Sequence, residues 1–448
     1  MKKVLFITTH FAPDIHVGAK RMTKFARHLT DYGWQPVILP KEINEYHGVD
    51  ETLLQELSAN LPIYRIPEWH PFQRQPQLPT VSGRLSSPNR NWARNNGLRS
   101  HLLKMLNLFF FYDYSWLLPA FFSARRLLQQ EDINLIYSSA PDNEAHMVAL
   151  LLRLTKSVKW ICEFRDPWTT LHPYYNFSFA KRKSDKCLER LVLNCSDHVI
   201  SVGQMLKEEL IKLGNLCHDK ISVIYNGYDK DDFIDSAATV TKDSRCVITY
   251  AGTWGPGRSP EYFLKALNML LQRRPEMREN LQVNFIGEFK YSPDLERKTL
   301  HYIEQANLKD VVTIIPWLPY KEALARLLTS DILLLVERPE TPTNNNFWVV
   351  TSKVFLYLYA RKPILALLPS GGEAARIIRE ADAGEIVSPT DIEAIAVKIG
   401  EMYNRFKRGD LASRVKLSDI DKYERKKQAG ELAAIFDDQI SIWGQKHA

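Results

Sequence analysis

A chain of 448 residues is too long for one hydrophobic core and fits two domains carrying a decoration. Its 45% apolar and 25% charged content exclude global disorder. The net charge of +7 is concentrated: Arg84, Arg90, Arg94, Arg99, Lys104, Arg125 and Arg126 stand against Asp113 and no Glu between residues 84 and 128, which leaves the rest near neutral and excludes a general nucleic-acid surface.

The opening "MKKVLFITTHFAPD" has an apolar run too short for a signal peptide and reads as a first β-strand, "VLFITT". The loop "HFAPDIHVGAKRM" follows, holding Pro13 and Gly18. A helix then places Met22, Phe25, Ala26 and Leu29 on one face and closes at Gly33. "PVILP" is the second strand. Residues 41–130 form a decoration. Its most apolar stretch, 105–122, is broken by Asp113, Tyr112, Tyr114 and Pro119, whereas a spanning helix wants roughly 20 mostly apolar residues. The basic, aromatic segment 84–126 suits an anionic bilayer surface; the alternative is that its aromatics cover a core and its arginines are solvated.

Strands continue at "INLIYSSAP" (133–141), "VKWICEFRDPW" (158–168), "DHVISVG" (197–203) and "ISVIYNGYD" (221–229), with a helix near 143–155. A polar linker, 231–243, precedes a second series: strands at "CVITYAG", "LQVNFIG", "VVTIIPW", "DILLLVE" and "KPILALLP", and helices at "SPEYFLKALNMLLQRR", "PYKEALARLLTS", "SKVFLYLYA" and "GGEAARIIREADAG", the last closing at Gly384. Strands alternating with helices of this length give a parallel sheet with crossover helices, here twice. The expected domains are 1–230, 244–420 and a C-terminal helix, 421–448, packed back on the first domain. The five cysteines (Cys162, Cys187, Cys195, Cys217 and Cys246) are odd in number, widely spaced and without a CxxC pair, so they read as reduced thiols of a cytoplasmic protein.

Three stretches carry chemistry. "YAGTWGPGRSP" ends a strand in a Gly-rich loop and brings Arg258 to a helix start, a pattern that suits a phosphate; the alternative is a tight loop with a solvated Arg. Lys353 lies in the first turn of "SKVFLYLYA", against the helix dipole, which an anion beside it explains; the alternative is a snorkelling Lys. Gly371 and Gly372 precede another helix start and suit a phosphate or sugar hydroxyl, with Glu373 as an acceptor, against a plain turn. In "CEFRDPWTT", Arg165, Asp166 and Trp168 stand at the C-terminal end of a strand, where such folds place ligands; the alternative is that they shape the loop. "DKD" (229–231) matches a metal signature, but it follows "NGY" in a loop and is not read as a metal site.

With these stretches in order, the chain resembles a family 4 glycosyltransferase of the GT-B fold, an α/β architecture of two Rossmann-like parallel-sheet domains facing a central cleft. "FRDPW" with "SKVFLYLYARKPI" resembles the subgroup that builds bacterial surface polysaccharides, including lipopolysaccharide. The resemblance implies a nucleotide-sugar donor, UDP- or GDP-linked, as co-substrate on the C-terminal domain. It implies a lipid-linked or other saccharide acceptor on the N-terminal domain, retention at the anomeric carbon, and no metal or other cofactor. Arg258 and Lys353 take the roles of the family's cations on the leaving diphosphate, with Asp166 orienting the acceptor hydroxyl. Gly18, Gly252, Thr253, Glu340, Gly371, Gly372 and Glu373 are implied on the donor, and Arg165, Trp168 and His146 on the acceptor, although His146 also reads as a packing residue. Asn226-Gly227 resembles the family's hinge turn. The enzyme is expected to be peripheral on the inner face of the cytoplasmic membrane.

Two departures stand out. The family's two Glu, eight positions apart, fall on Trp348 and Leu356 when counted back from Lys362-Pro363, and on Glu340 when the first is counted forward from Asp331. The family's His after "YSS" falls at Ser139. A degenerate, non-catalytic sugar-binding scaffold and a nucleotide-sugar 2-epimerase are the competing readings.

Overall fold

The computed structural model describes residues 1–43, 48–68, 114–169, 179–234, 243–255, 257–289, 292–339 and 347–447. The chain divides into two compact units: Met1–Ile200 with Leu210–Ser222 and Ala433–Ala448, and Ser201–Glu209 with Val223–Leu432.

The first unit is built on a six-stranded sheet of order β2-β1-β3-β4-β5-β6. Its strands are β1 (Lys2–Thr8), β2 (Trp34–Pro40), β3 (Leu135–Ala140), β4 (Lys159–Phe164), β5 (His198–Ser201) and β6 (Ile221–Val223). Val4, Leu5, Phe6 and Ile7 are all fully buried, because helices cover both faces of a parallel sheet and no solvent face remains for alternation. The helix Arg425–His447 contributes to this unit from Ala433 onward: Phe436 packs edge-on against Trp34, and Asp437 accepts from Lys2 Nζ at 2.6 Å and Trp34 Nε1 at 3.2 Å. In the helix Tyr114–Gln130, Trp116, Ala120 and Ala124 face inward while Phe122 is 65% exposed. The rest of the basic segment, 84–113, lies outside the described residues, as does most of the linker, 235–242. Among the described residues no helix is long and apolar enough to cross a membrane.

The second unit repeats the plan with order β12-β11-β10-β7-β8-β9. Its strands are β7 (Cys246–Ala251), β8 (Leu281–Ile286), β9 (Val312–Ile315), β10 (Ile332–Val336), β11 (Ile364–Leu367) and β12 (Gly384–Val387), each pair parallel. Gly384 opens β12 instead of closing a helix. The preceding helix, Glu373–Glu380, ends earlier, and Asp382 at φ 47° makes the left-handed turn that stops it.

Strand order reverses once in each sheet, between β1 and β3 and between β7 and β10. At such a point the loops leaving the two adjacent strands diverge to opposite faces and open a crevice at the strand C-termini.

An internal ion pair fixes the first crevice. Arg21, on the helix Val17–His28, donates to Glu163 Oε1 on β4 from Nε at 2.9 Å and Nη2 at 2.6 Å, and Ser139 Oγ donates to Glu163 Oε2 at 2.7 Å. Arg21 is 1% exposed and Glu163 is fully buried. Burial alone would lift the Glu163 carboxyl; the Arg21 charge and hydrogen bonds outweigh it and hold it low. Glu163→Ala strips the guanidinium of this carboxylate and should lower stability by about 3–5 kcal/mol in urea unfolding, whereas Arg21→Met/Glu163→Leu together should lose much less.

Candidate functional site

In the second unit the crevice is lined by the loop after β7, the end of β10 and the helix Ser352–Ala360. Gly252 has φ +141°, and a Cβ there would sit 2.4 Å from Lys353 Nζ, so only glycine lets this lysine lie across the strand end. Lys353 Nζ donates to Tyr250 Oη at 2.7 Å and stands 4.1 Å from the ring centroid; Trp254 stacks on Tyr250 at 3.7 Å. Arg258 Nη2 donates to Glu337 Oε2 at 2.6 Å, and Thr351 Oγ1 to Glu337 Oε1 at 3.0 Å. The helix after the Gly-rich loop begins at Glu261, so Arg258 lies in the loop before it. Thr253 is exposed, its carbonyl accepting from Tyr250 Oη at 3.2 Å.

Burial and the neighbouring Arg258 charge bring Lys353 down to about 7, with Glu337 pulling the other way. Arg258 thus pairs with the Glu337 carboxylate, while Lys353, held by Tyr250, feels both charges at a strand-order reversal. An incoming anion would complete the charge balance and draw a proton onto Lys353.

Glu373 has a different occupation. Its buried carboxylate accepts from the backbone N–H of Gln204 at 3.2 Å and Met205 at 3.0 Å, from Tyr225 Oη at 2.8 Å and from Arg376. These hydrogen bonds outweigh burial and hold the carboxyl low. The glutamate caps the helix Gln204–Gly214, and its oxygens are committed to that task. Gly372 N–H donates to Pro369 O at 3.2 Å and Glu373 N–H to Phe347 O at 2.6 Å, while Gly371 is exposed. Glu340 lies outside the described residues.

In the first unit, Gly18 sits in the first turn of the helix Val17–His28. A Cβ there would fall 2.1 Å from Arg165 Nη1. Arg165 donates from Nε to Ala140 O at 3.1 Å and from Nη2 to Pro141 O at 2.5 Å, so it binds the end of β3 as well as facing the crevice. Asp166 is half-buried; burial lifts its carboxyl above the ordinary range against the pull of Arg165. Trp168 is partly exposed. Glu189, fully buried on the helix Phe179–Cys195, accepts the backbone N–H groups of Trp168 and Thr169, each at 3.1 Å, and so fixes the loop that ends "FRDPWTT".

His146 departs from its acceptor assignment. Its ring is fully buried against Phe164, at 4.7 Å between centroids. Trp160 Nε1 donates to Ser138 Oγ at 2.8 Å, and Ser138 Oγ lies 2.8 Å from His146 Nδ1. Ser138 Oγ thus lies between the tryptophan N–H, from which it accepts, and the imidazole. Burial brings its pKa to about 3. A residue without exposed surface cannot grip an acceptor; His146 packs its helix on the sheet.

Two groups escaped the sequence reading. Glu337 is the last residue of "DILLLVE", and a carboxylate at a strand C-terminus was its signal. The second group is the set His10, Asp14, His16 and Asp142 at the first reversal. The two histidines six apart in "HFAPDIH" were visible, but their partner Asp142 is 132 residues beyond His10 and only the fold joins them. Leu356, where the family has Glu, packs against the hydrophobic core of the second unit. Among the described residues no three His, Cys, Asp or Glu side chains are grouped to hold a metal ion.

The model of Glycosyltransferase Family 4 matches residues 83–232. Among solved structures, a glycosyltransferase from Rickettsia africae ESF-5 superposes with a TM-score of 0.63 at 16% identity, over 98% of both chains. Anabaena Alr3699/HepE in complex with UDP-glucose gives 0.63 at 14%, over 98% of this chain and all of that one. The fold is GT-B. Two curated relatives align over a shorter span. The D-inositol 3-phosphate glycosyltransferase of Paenarthrobacter aurescens (strain TC1) is 28% identical over 134 residues, 29% of this chain and 32% of the relative. The O-antigen chain mannosyltransferase RfbU of Salmonella typhimurium (strain LT2) is 28% identical over 120 residues, 27% of this chain and 30% of the relative. The chain thus spans about a third of the length of each of these two relatives. A structure described as a putative UDP-N-acetylglucosamine 2-epimerase from Listeria monocytogenes also shares the fold, with a TM-score of 0.57 at 10% identity, so the fold alone does not select a reaction.

The depressed Lys353 has a stability signature. Between pH 7 and its ordinary value of 10.5 the folded chain holds fewer protons at this residue than the unfolded chain. Its contribution therefore rises with pH across that window, and below pH 7 the burial penalty is fully present. Lys353→Met should raise the thermal midpoint at pH 7 and flatten its rise between pH 7 and 10; a lower midpoint at pH 7 contradicts the burial assigned here.

Proposed function

We propose that this chain is a glycosyltransferase that moves a sugar from a nucleotide-sugar donor to a saccharide acceptor. The observation that carries the reading is that Lys353, lying across Gly252, stands within reach of the Arg258 charge at the strand-order reversal of the second unit. Its supports are the GT-B fold, the partial match to Glycosyltransferase Family 4, and the structural neighbour in complex with UDP-glucose.

The second unit binds the donor diphosphate. Arg258 and Lys353 neutralise charge on the leaving group, an electrostatic stabilisation that grows as the bond breaks. Glu337, itself held by Thr351, holds Arg258 in place. The anomeric carbon loses its phosphate oxygen and gains the acceptor oxygen on the same face, with retention, and the hydroxyl proton leaves with the nucleoside diphosphate. Two side-chain cations occupy the role that a metal fills elsewhere, so turnover proceeds without one. The first unit binds the acceptor, with Asp166 orienting its hydroxyl and Trp168 against a sugar face.

The finer reading gives a lipid-linked saccharide as acceptor, at the inner face of the cytoplasmic membrane, in the assembly of a surface polysaccharide. It is supported by the basic, aromatic sequence 84–126 and by the likeness to an O-antigen mannosyltransferase.

UDP, GDP, ADP and dTDP, each with chelator, are compared by thermal shift on wild type and Arg258→Ala. One nucleotide should stabilise the wild type in chelator and lose its effect in the variant; no shift with any of the four contradicts the reading. In turnover with the matching nucleotide sugar, Lys353→Ala should lower kcat roughly 10²–10³-fold, the loss seen when a comparable electrostatic donor is removed.

A further inference from the structure

The reversal between β1 and β3 gathers a group of side chains that the donor chemistry does not use. His10 Nδ1 lies 2.6 Å from Asp14 Oδ2, and His10 Nε2 lies 3.6 Å from Asp142 Oδ2. Asp14 Oδ1 accepts the His16 N–H at 2.8 Å, and His16 Nδ1 accepts the Gly18 N–H at 3.2 Å. The rings of His10 and His16 stack at 3.7 Å and 18°. Asp142 N–H donates to Thr9 Oγ1 at 3.2 Å, tying its loop to the end of β1. The His10 side chain is 17% exposed and Asp14 only 8%, while Asp142 is 56% exposed.

This asymmetry has chemical content. Both His10 nitrogens face carboxylates, so both must carry protons to be satisfied. Asp14 is the buried anchor: it accepts from the backbone on one oxygen and from His10 on the other. Asp142 is the outward carboxylate, held on one side by His10 with its remaining lone pairs toward solvent. An oriented carboxylate with open acceptor capacity is what a sugar hydroxyl needs in order to be gripped in one direction.

We propose that Asp142 accepts a hydrogen bond from an acceptor sugar hydroxyl, and that His10, anchored by Asp14, is the positioning residue that orients it. The inference deepens the transferase reading and rests on it. It places the hydroxyl grip on the loops after β1 and β3, beside the Arg165–Trp168 loop after β4.

The group predicts a pH dependence. Burial opposes charge on His10, but its hydrogen bond to Asp14 and the nearby Asp142 carboxylate raise its pKa above the ordinary 6.5. His16, buried beside the His10 charge, falls to about 4 and stays neutral. Further charges face this group: Arg165 faces His16, Lys41 faces Asp142, and Arg65, beside Glu42 and Glu51, faces Asp14. As pH rises through the His10 pKa, one N–H is lost, the hold on Asp142 weakens, and acceptor affinity falls.

The test compares wild type, Asp142→Asn and His10→Gln, with UDP-glucose as donor and p-nitrophenyl gluco-, manno- and galactosides as acceptor probes. Both variants should raise the glycoside KM at least tenfold while UDP still shifts the thermal midpoint. The rise of KM with pH in wild type should be absent from His10→Gln. Histidine-15N NMR supplies a readout that needs no turnover: His10 should titrate above the ordinary 6.5 in wild type, titrate lower in Asp142→Asn, and change its resonances when glycoside is added. An unchanged KM, or a His10 titration indifferent to Asp142→Asn and to glycoside, overturns the inference. Absence of a nucleotide shift in the wild type overturns the transferase reading instead.

Discussion

The organising constraint is the reversal of strand order that occurs once in each sheet. A parallel sheet buries both faces and leaves only its strand ends open to chemistry. At β7 and β10 the ends meet as Gly252 and Glu337; at β1 and β3 they meet as the His10 loop and Asp142. Each crevice receives the polar groups that the strands themselves cannot hold, and the apolar runs of β1 and β10 secure the geometry on which those groups depend.

The two crevices are electrostatically unlike. In the second unit Arg258 pairs with Glu337, and Lys353 lies against Tyr250, where burial and the like charge of Arg258 depress it. An anion beside Lys353 would offset that penalty. In the first unit the carboxylates Asp14 and Asp142 flank His10, and Asp142 is the more exposed of the two.

How much was legible in the sequence follows from the range of each interaction. "YAGTWGPGRSP" and "SKVFLYLYA" show Arg258 and Lys353 because strand ends and helix starts are local patterns. Glu373 was local too, yet its role depends on Gln204 and Met205, some 168 residues earlier, and only the fold shows that its carboxylate is occupied by a helix start. His146 stood at a plausible place after a strand, but a helical position does not reveal which side of the helix the sheet covers. His10 was passed over because neither carboxylate that gives it meaning belongs to a readable motif. The "FRDPW" loop divides: Arg165 and Glu189 shape it, while Asp166 and Trp168 keep surface for a ligand.

The claim on which the account turns is that Lys353, largely neutral in the empty protein above pH 7, becomes charged when a diphosphate binds. Calorimetric titration of UDP at pH 8, in two buffers of different ionisation enthalpy, measures it directly. A phosphate with a second pKa near 6 is already fully ionised there and does not itself take up a proton. The account predicts uptake approaching one proton per UDP bound, absent in Lys353→Met. Binding with no proton uptake in the wild type would contradict it.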